Sequence, residues 1–174
     1  MDRDLLAAEL RDVRADFHAL VANASRDDLR RRSNGTRWTN RQVLYHMVFG
    51  YMIVRTLQPL VHGLGRLNRS RLFARTLDAG RRPFHVVNYL GSVVGGQVLT
   101  PAATERLLDR TLNALQRHLA AESPQTLALM MHFPTSWDPY FRSTMTVLDV
   151  YHYGTEHYQH HRRQLSFMTT AAPR

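Results

Sequence analysis

Two histidines four residues apart, His157 and His161, are the part of this 174-residue sequence best suited to chemistry. On a helix that spacing sets both imidazoles on one face, with Cβ atoms about 6 Å apart. A single divalent ion with metal–nitrogen bonds of about 2.0–2.1 Å can then be held by both rings. A third ligand has to come from elsewhere in the chain. His46 is the candidate, because it stands three residues after Val43 and four before Gly50, inside a run of inward-type positions. Three imidazoles leave at least one coordination position open, which is the pattern of a reactive site rather than a closed structural one. Ten histidines in one chain make such spacings easy to obtain by chance, and His152, His157, His160 and His161 cluster locally. Core or surface histidines therefore compete with the metal reading. The HExxH metalloprotease pattern is excluded, because Tyr158 stands where its glutamate would be.

The rest of the composition narrows the chemistry. There is no cysteine, so disulfides, cysteine-bound zinc and a protein thiol nucleophile are out. Any thiol chemistry must use a thiol carried in by a small molecule. All 23 basic residues are arginine, and the formal net charge is +9. The absence of lysine points to a genome rich in G and C. The arginines are scattered, with a single run at Arg30, Arg31 and Arg32, and no nucleic-acid recognition motif is present, so nucleic acid is not the expected partner. No apolar run reaches the roughly 18–20 residues of a membrane span. The first twelve residues mix acidic and apolar types without a cleavage site, unlike a signal peptide. The expected location is the cytoplasm.

These histidines need elements to carry them. With 44% apolar residues, 174 residues suit one domain, 1–174. A first helix is expected over residues 4–23, where Leu6, Leu10, Val13, Phe17 and Leu20 step by four and three. A polar stretch follows over 25–40, with a turn at Asn34-Gly35. A second helix should start near Trp38, capped by Thr39 or Asn40, and run to about Pro59, with Val43, Met47, Gly50, Ile53, Val54 and Leu57 inward. Residues 61–80 read as irregular, with a short helix over 69–77, and a further helix is expected over 83–94. Thr100-Pro101 announces a third bundle helix with a stripe of Leu108, Leu112, Leu115 and Leu119, ending before Pro124. A connection over 125–141 leads to a last helix from residues 143–144 to about Met168, on which Val147, Val150, Gly154, His157, His161 and Leu165 repeat by three or four. No strand-like alternation is visible. The expected fold is all-α: a four-helix bundle with a partly helical insertion between its second and third helices.

Two segments resemble a known family. WTNRQVLYHM, residues 38–47, looks like the Trp-Ser/Thr…His start of the second helix in the DinB-like superfamily. EHYQHHRRQL, residues 156–165, is similar to that superfamily's HxxxHRxQ ending, and the order and separation of the two also fit. The resemblance implies a metal-binding four-helix bundle, often dimeric, with His46, His157 and His161 as ligands. It implies one divalent ion, zinc first by imidazole chemistry, with nickel or iron also accepted. Relatives include thiol transferases and a thiol-dependent maleylpyruvate isomerase. The implied function is thus a metal-dependent thiol transferase or hydrolase acting on a small molecule, with a mycothiol-like cosubstrate. The alternative is a non-catalytic, metal- or small-ligand-binding stress protein. Arg163 departs from the family's usual small residue, which reads either as ordinary variation or as a side chain that crowds a helix contact. Trp38 reads as a packing anchor. Residues 137–140 read as a loop over the bundle end, with a lid as the other reading. Tyr158 and Gln164 are candidate partners of the ligands or plain helix-surface residues, and Arg162 is a candidate for an ion pair or for an acidic substrate.

Overall fold

A computed structural model of the chain describes residues 2–67, 71, 74, 75, 78 and 81–167. The helices are α1 (Arg3–Asn23), α2 (Arg26–Arg30), α3 (Asn40–Leu67), α4 (Arg81–Val98), α5 (Pro101–Ala121), α6 (Pro124–Leu127) and α7 (Val147–Arg162). Strands β1 (Met130–His132) and β2 (Thr144–Thr146) pair antiparallel, with Met131 opposite Met145. α1, α3, α5 and α7 close a four-helix bundle in which α1 and α3 each pack against both α5 and α7. α4 lies outside that ring, against α3.

Apolar periodicity explains the ring. The α1 stripe of Leu6, Leu10, Val13, Phe17 and Leu20 is buried throughout, as are Leu108, Leu112, Leu115 and Leu119 of α5. Burial of each such side chain contributes about 1.5–3 kcal/mol. The predicted start of α5 is present: Thr100 accepts from the Ala103 amide, and Pro101 follows it. Gly35 turns the chain with φ of 71°, a left-handed conformation that favours glycine.

Several boundaries differ from those read in the sequence. The second bundle helix does not stop at Pro59 but continues to Leu67. Pro59 costs α3 the amide bond to the Arg55 carbonyl, yet both residues are exposed, so water can serve that carbonyl, while Val61 is fully buried beyond it. α4 is longer than the expected 83–94. The short helix expected over 69–77 lies largely outside the described residues. The polar stretch after α1 contains α2, started by a capping box of Ser25 and Asp28. The two strands were not visible as alternation because each has only three residues. The last helix begins at Val147, where Thr146 and Asp149 form a capping box, and ends at Arg162 rather than near residue 168, which is itself outside the described residues. Among the described residues no helix is long and apolar enough to cross a membrane.

Candidate metal centre

α3 and α7 bring the three predicted histidines together. His46 sits early on α3, and His157 and His161 sit on the last turns of α7. Ring centroids are 4.4 Å apart for His46–His161, 4.6 Å for His157–His161 and 4.9 Å for His46–His157. One nitrogen from each ring falls in a group whose members all lie within 4.8 Å of one another, and among the described residues no carboxylate joins that group. Two nitrogens on one tetrahedral zinc stand about 3.4 Å apart, given bonds of 2.0–2.1 Å, so modest ring rotation closes the triangle.

The helices can approach so closely because glycine faces the rings. A Cβ at Gly50 would lie 2.7 Å from His157 Cε1 and nearer still to its Nδ1. Reciprocally, a Cβ at Gly154 of α7 would lie 2.6 Å from Tyr51 Cε1 on α3. His46 and His157 are 3% and 4% exposed, whereas His161 is partly exposed. Burial, the largest cause, holds all three imidazoles below their ordinary pKa, with neighbouring histidines adding to the effect. His157 falls to about 4 and His161 to about 3, and His46 is lowered well below the usual value. At neutral pH all three are therefore uncharged, the form that binds metal.

Hydrogen bonds aim two of the rings. His46 Nδ1 lies 2.9 Å from Ser92 Oγ, and His161 Nδ1 lies 2.7 Å from Gln164 Oε1. An amide oxygen only accepts, so His161 Nδ1 carries the hydrogen and Nε2 the lone pair. The Gln164 amide nitrogen lies 3.1 Å from His160 Nε2, and His160 Nδ1 lies 3.0 Å from the Tyr140 hydroxyl. His157 Nδ1 is buried with no hydrogen-bond partner among the described residues. A buried imidazole with an unpaired nitrogen beside two others is costly as it stands and suits a cation. The donor set thus fits a divalent ion that accepts nitrogen ligands.

Aromatic rings wall the cluster. The Trp38 ring is 4.6 Å from that of His46 and 6.2 Å from that of His161, and it stacks on Tyr89 at 5.8 Å. Phe49 stacks on His46 at 6.3 Å, and Tyr153 lies 5.8 Å from His157. Trp38 is a packing anchor, and what it packs on is the histidines. Its placement depends on Thr39, which caps α3: its hydroxyl accepts from the Gln42 amide and its own amide donates to Gln42 Oε1. Asn40, the other candidate cap, instead bonds the Asp28 carbonyl and Ser166, tying the chain after α7 to the start of α3.

Other candidates separate cleanly. Gln164 touches a histidine of the cluster. Tyr158 does not: it is fully buried, and its hydroxyl donates to Asp16 on α1 at 2.7 Å. Arg162 pairs with the same Asp16 at 2.9 Å. Arg163 is exposed where α7 ends, which fits ordinary variation rather than crowding. The 137–140 loop folds over the bundle end: Trp137 stacks on Phe84 at 4.0 Å, Asp138 accepts from Tyr153, and Tyr140 reaches His160. Ser92 was not read as functional. The signal was the set of small residues Ser92, Gly95 and Gly96 on one side of α4, where a Cβ at Gly96 would lie 2.7 Å from the α3 backbone at Gln42.

A family model described as DinB superfamily matches residues 9–165. No curated protein and no solved structure matches the chain.

Proposed function

The chain belongs to the DinB superfamily, and from that premise we propose that it is a metal-dependent enzyme of the thiol-transferase or hydrolase type, holding one divalent ion, zinc first, through His46, His157 and His161. The observation that carries this reading is the meeting of three neutral imidazoles, two of them buried and the third partly so, within 4.8 Å. A divalent ion there supplies Lewis acidity, which favours the thiolate form of an external thiol, such as a mycothiol-like cosubstrate, and the deprotonated form of water. The chain's own residues set the conditions. Gln164 orients His161, while Trp38, Phe49 and Tyr153 cover the rings and keep bulk water away. The absence of cysteine leaves no protein thiol to compete with an incoming one. A cytoplasmic location, where small thiols stay reduced, belongs to this reading.

Metal analysis of the purified chain, coupled to a thiol-consumption assay over a panel of electrophiles, tests it. The expected result is about one equivalent of divalent metal and metal-dependent thiol loss, both abolished by replacing the three histidines with alanine. A chain that binds no metal overturns the site. A loaded chain that consumes no thiol and hydrolyses nothing overturns the activity.

A second reading, a carrier of metal or a small ligand without turnover, draws on the enclosure of the rings. Surface hollows of about 840 and 440 Å³ are lined by residues such as Asp2, Glu122 and Thr146, or Arg142, Asp149 and Glu156, and neither includes a histidine of the cluster. A homodimer is supported by α4, whose outer face exposes Val86, Val87, Leu90, Val94 and Val98, each more than half accessible.

A further inference from the structure

We propose that Ser92 is a positioning residue for His46, so that α4, outside the four-helix ring, is part of the metal centre. The inference rests on the metal reading above and adds to it a residue from neither motif.

Ser92 is fully buried, and its hydroxyl has one hydrogen. That hydrogen goes to the Asn88 carbonyl one turn back, at 2.8 Å. Toward His46 Nδ1, at 2.9 Å, the oxygen is then left to accept. His46 accordingly carries its hydrogen on Nδ1 and its lone pair on Nε2. Without metal, a second arrangement competes, in which the serine hydrogen swings to Nδ1 and the imidazole hydrogen moves to Nε2. Coordination through Nε2 eliminates it, because a neutral imidazole that gives Nε2 to a cation must hold its hydrogen on Nδ1. Metal binding and the direction of the Ser92 hydrogen bond therefore select each other.

Among the described residues nothing else takes that role. Trp38 and Phe49 meet His46 through ring faces, which restrict its tilt without choosing a tautomer. Removal of the serine oxygen leaves a buried N–H without an acceptor in the metal-bound form. Hydrogen-bond partners of histidine ligands of this kind typically govern affinity by about 10- to 100-fold. The position is also held by packing: Gly95 and Gly96, three and four residues on, let α4 lie against Tyr45 and Gln42 of α3. The serine oxygen is thus delivered to the ring by a helix contact, rather than by the motif segments that carry the ligands.

The test is zinc affinity by competition with a chromophoric chelator, read beside the ¹⁵N spectrum of His46 in the metal-free chain. Ser92→Ala should bind zinc about 10- to 100-fold more weakly. His46 in that variant should shift toward the Nε2–H tautomer that free imidazole side chains prefer. Ser92→Thr, which keeps the hydroxyl, should recover most of the affinity. Melting of the metal-free variants by circular dichroism confirms that folded chains are compared. If the wild-type chain takes up zinc and Ser92→Ala takes it up equally tightly, the role of Ser92 is overturned while the metal reading stands. If the wild-type chain takes up no zinc, the metal reading fails first.

Discussion

α3 is flanked by two helices that meet it through small residues, and the two contacts differ in what lies behind them. Against α7, glycine on each helix faces a ring on the other, Gly50 with His157 and Gly154 with Tyr51, and the three histidines gather at this contact. Against α4, Ser92, Gly95 and Gly96 make an equally close approach, but the far side of α4 presents valine and leucine to solvent. The first contact concentrates polar, ligand-type nitrogen in the interior. The second leaves core-type side chains outside. Close packing alone therefore does not show where the candidate ligands lie; the chemical type of what is buried does, with α4 adding Ser92 to His46.

The comparison is broken most severely at Gly50. Gly50→Leu should abolish zinc uptake and destabilise the chain by about 3 kcal/mol or more, because the new side chain takes the volume of the His157 ring. Zinc titration and urea denaturation read the two effects. Retained zinc binding would show that His157 is not held by this contact.

Acidification comes next. Unfolded histidine takes up a proton near pH 6.5, whereas folded, metal-free His157 resists until about 4. Between those values the unfolded state holds more protons. Stability is then full above pH 6.5, falls as the pH drops through that window, and levels off below it, with His157 alone contributing on the order of 3 kcal/mol. Urea midpoints between pH 8 and 4 measure this. A flat profile would mean that the α3–α7 contact admits water.

Smaller effects belong to open positions. Gly91 of α4 and Gly63 of α3 have nothing among the described residues within reach of an added Cβ. Gly91→Ala and Gly63→Ala should each stabilise the fold by about 0.5–1 kcal/mol, since helical glycine is otherwise a cost. Thermal melts would show it, and a loss at Gly91 would reveal a partner already seated on α4. The smallest effect on the fold is expected from Leu90→Glu, within about 0.5 kcal/mol. The same change should shift any dimer to monomer in light scattering; an unchanged dimer would place the interface elsewhere.

Much of the ring was legible. Leu6 to Leu20 on α1 and Leu108 to Leu119 on α5 repeat so regularly that only one face can be inward. His46, His157 and His161 were legible for the same reason, being polar residues in apolar registers. Periodicity did not reveal that α4 buries Ser92 and Gly96 and exposes most of its valines, because from Pro83 on both faces of that helix are uncharged. Helix ends were read from single residues, yet reciprocal pairs decided them. Thr146 with Asp149 moved the start of α7, and burial of Val61 carried α3 past a proline. Ser92 was illegible as a partner of His46 because its meaning depends on a contact between residues 46 positions apart.

Pro59 has one more effect. It removes one amide bond from the ladder thirteen residues beyond His46, yet the helix runs on as one element from Asn40 to Leu67. The turns before it carry the imidazole and its cap; the turns after it bring Val61 into the core and pass β1. The missing bond lies about three and a half turns from His46, so the backbone that carries the imidazole does not depend on it.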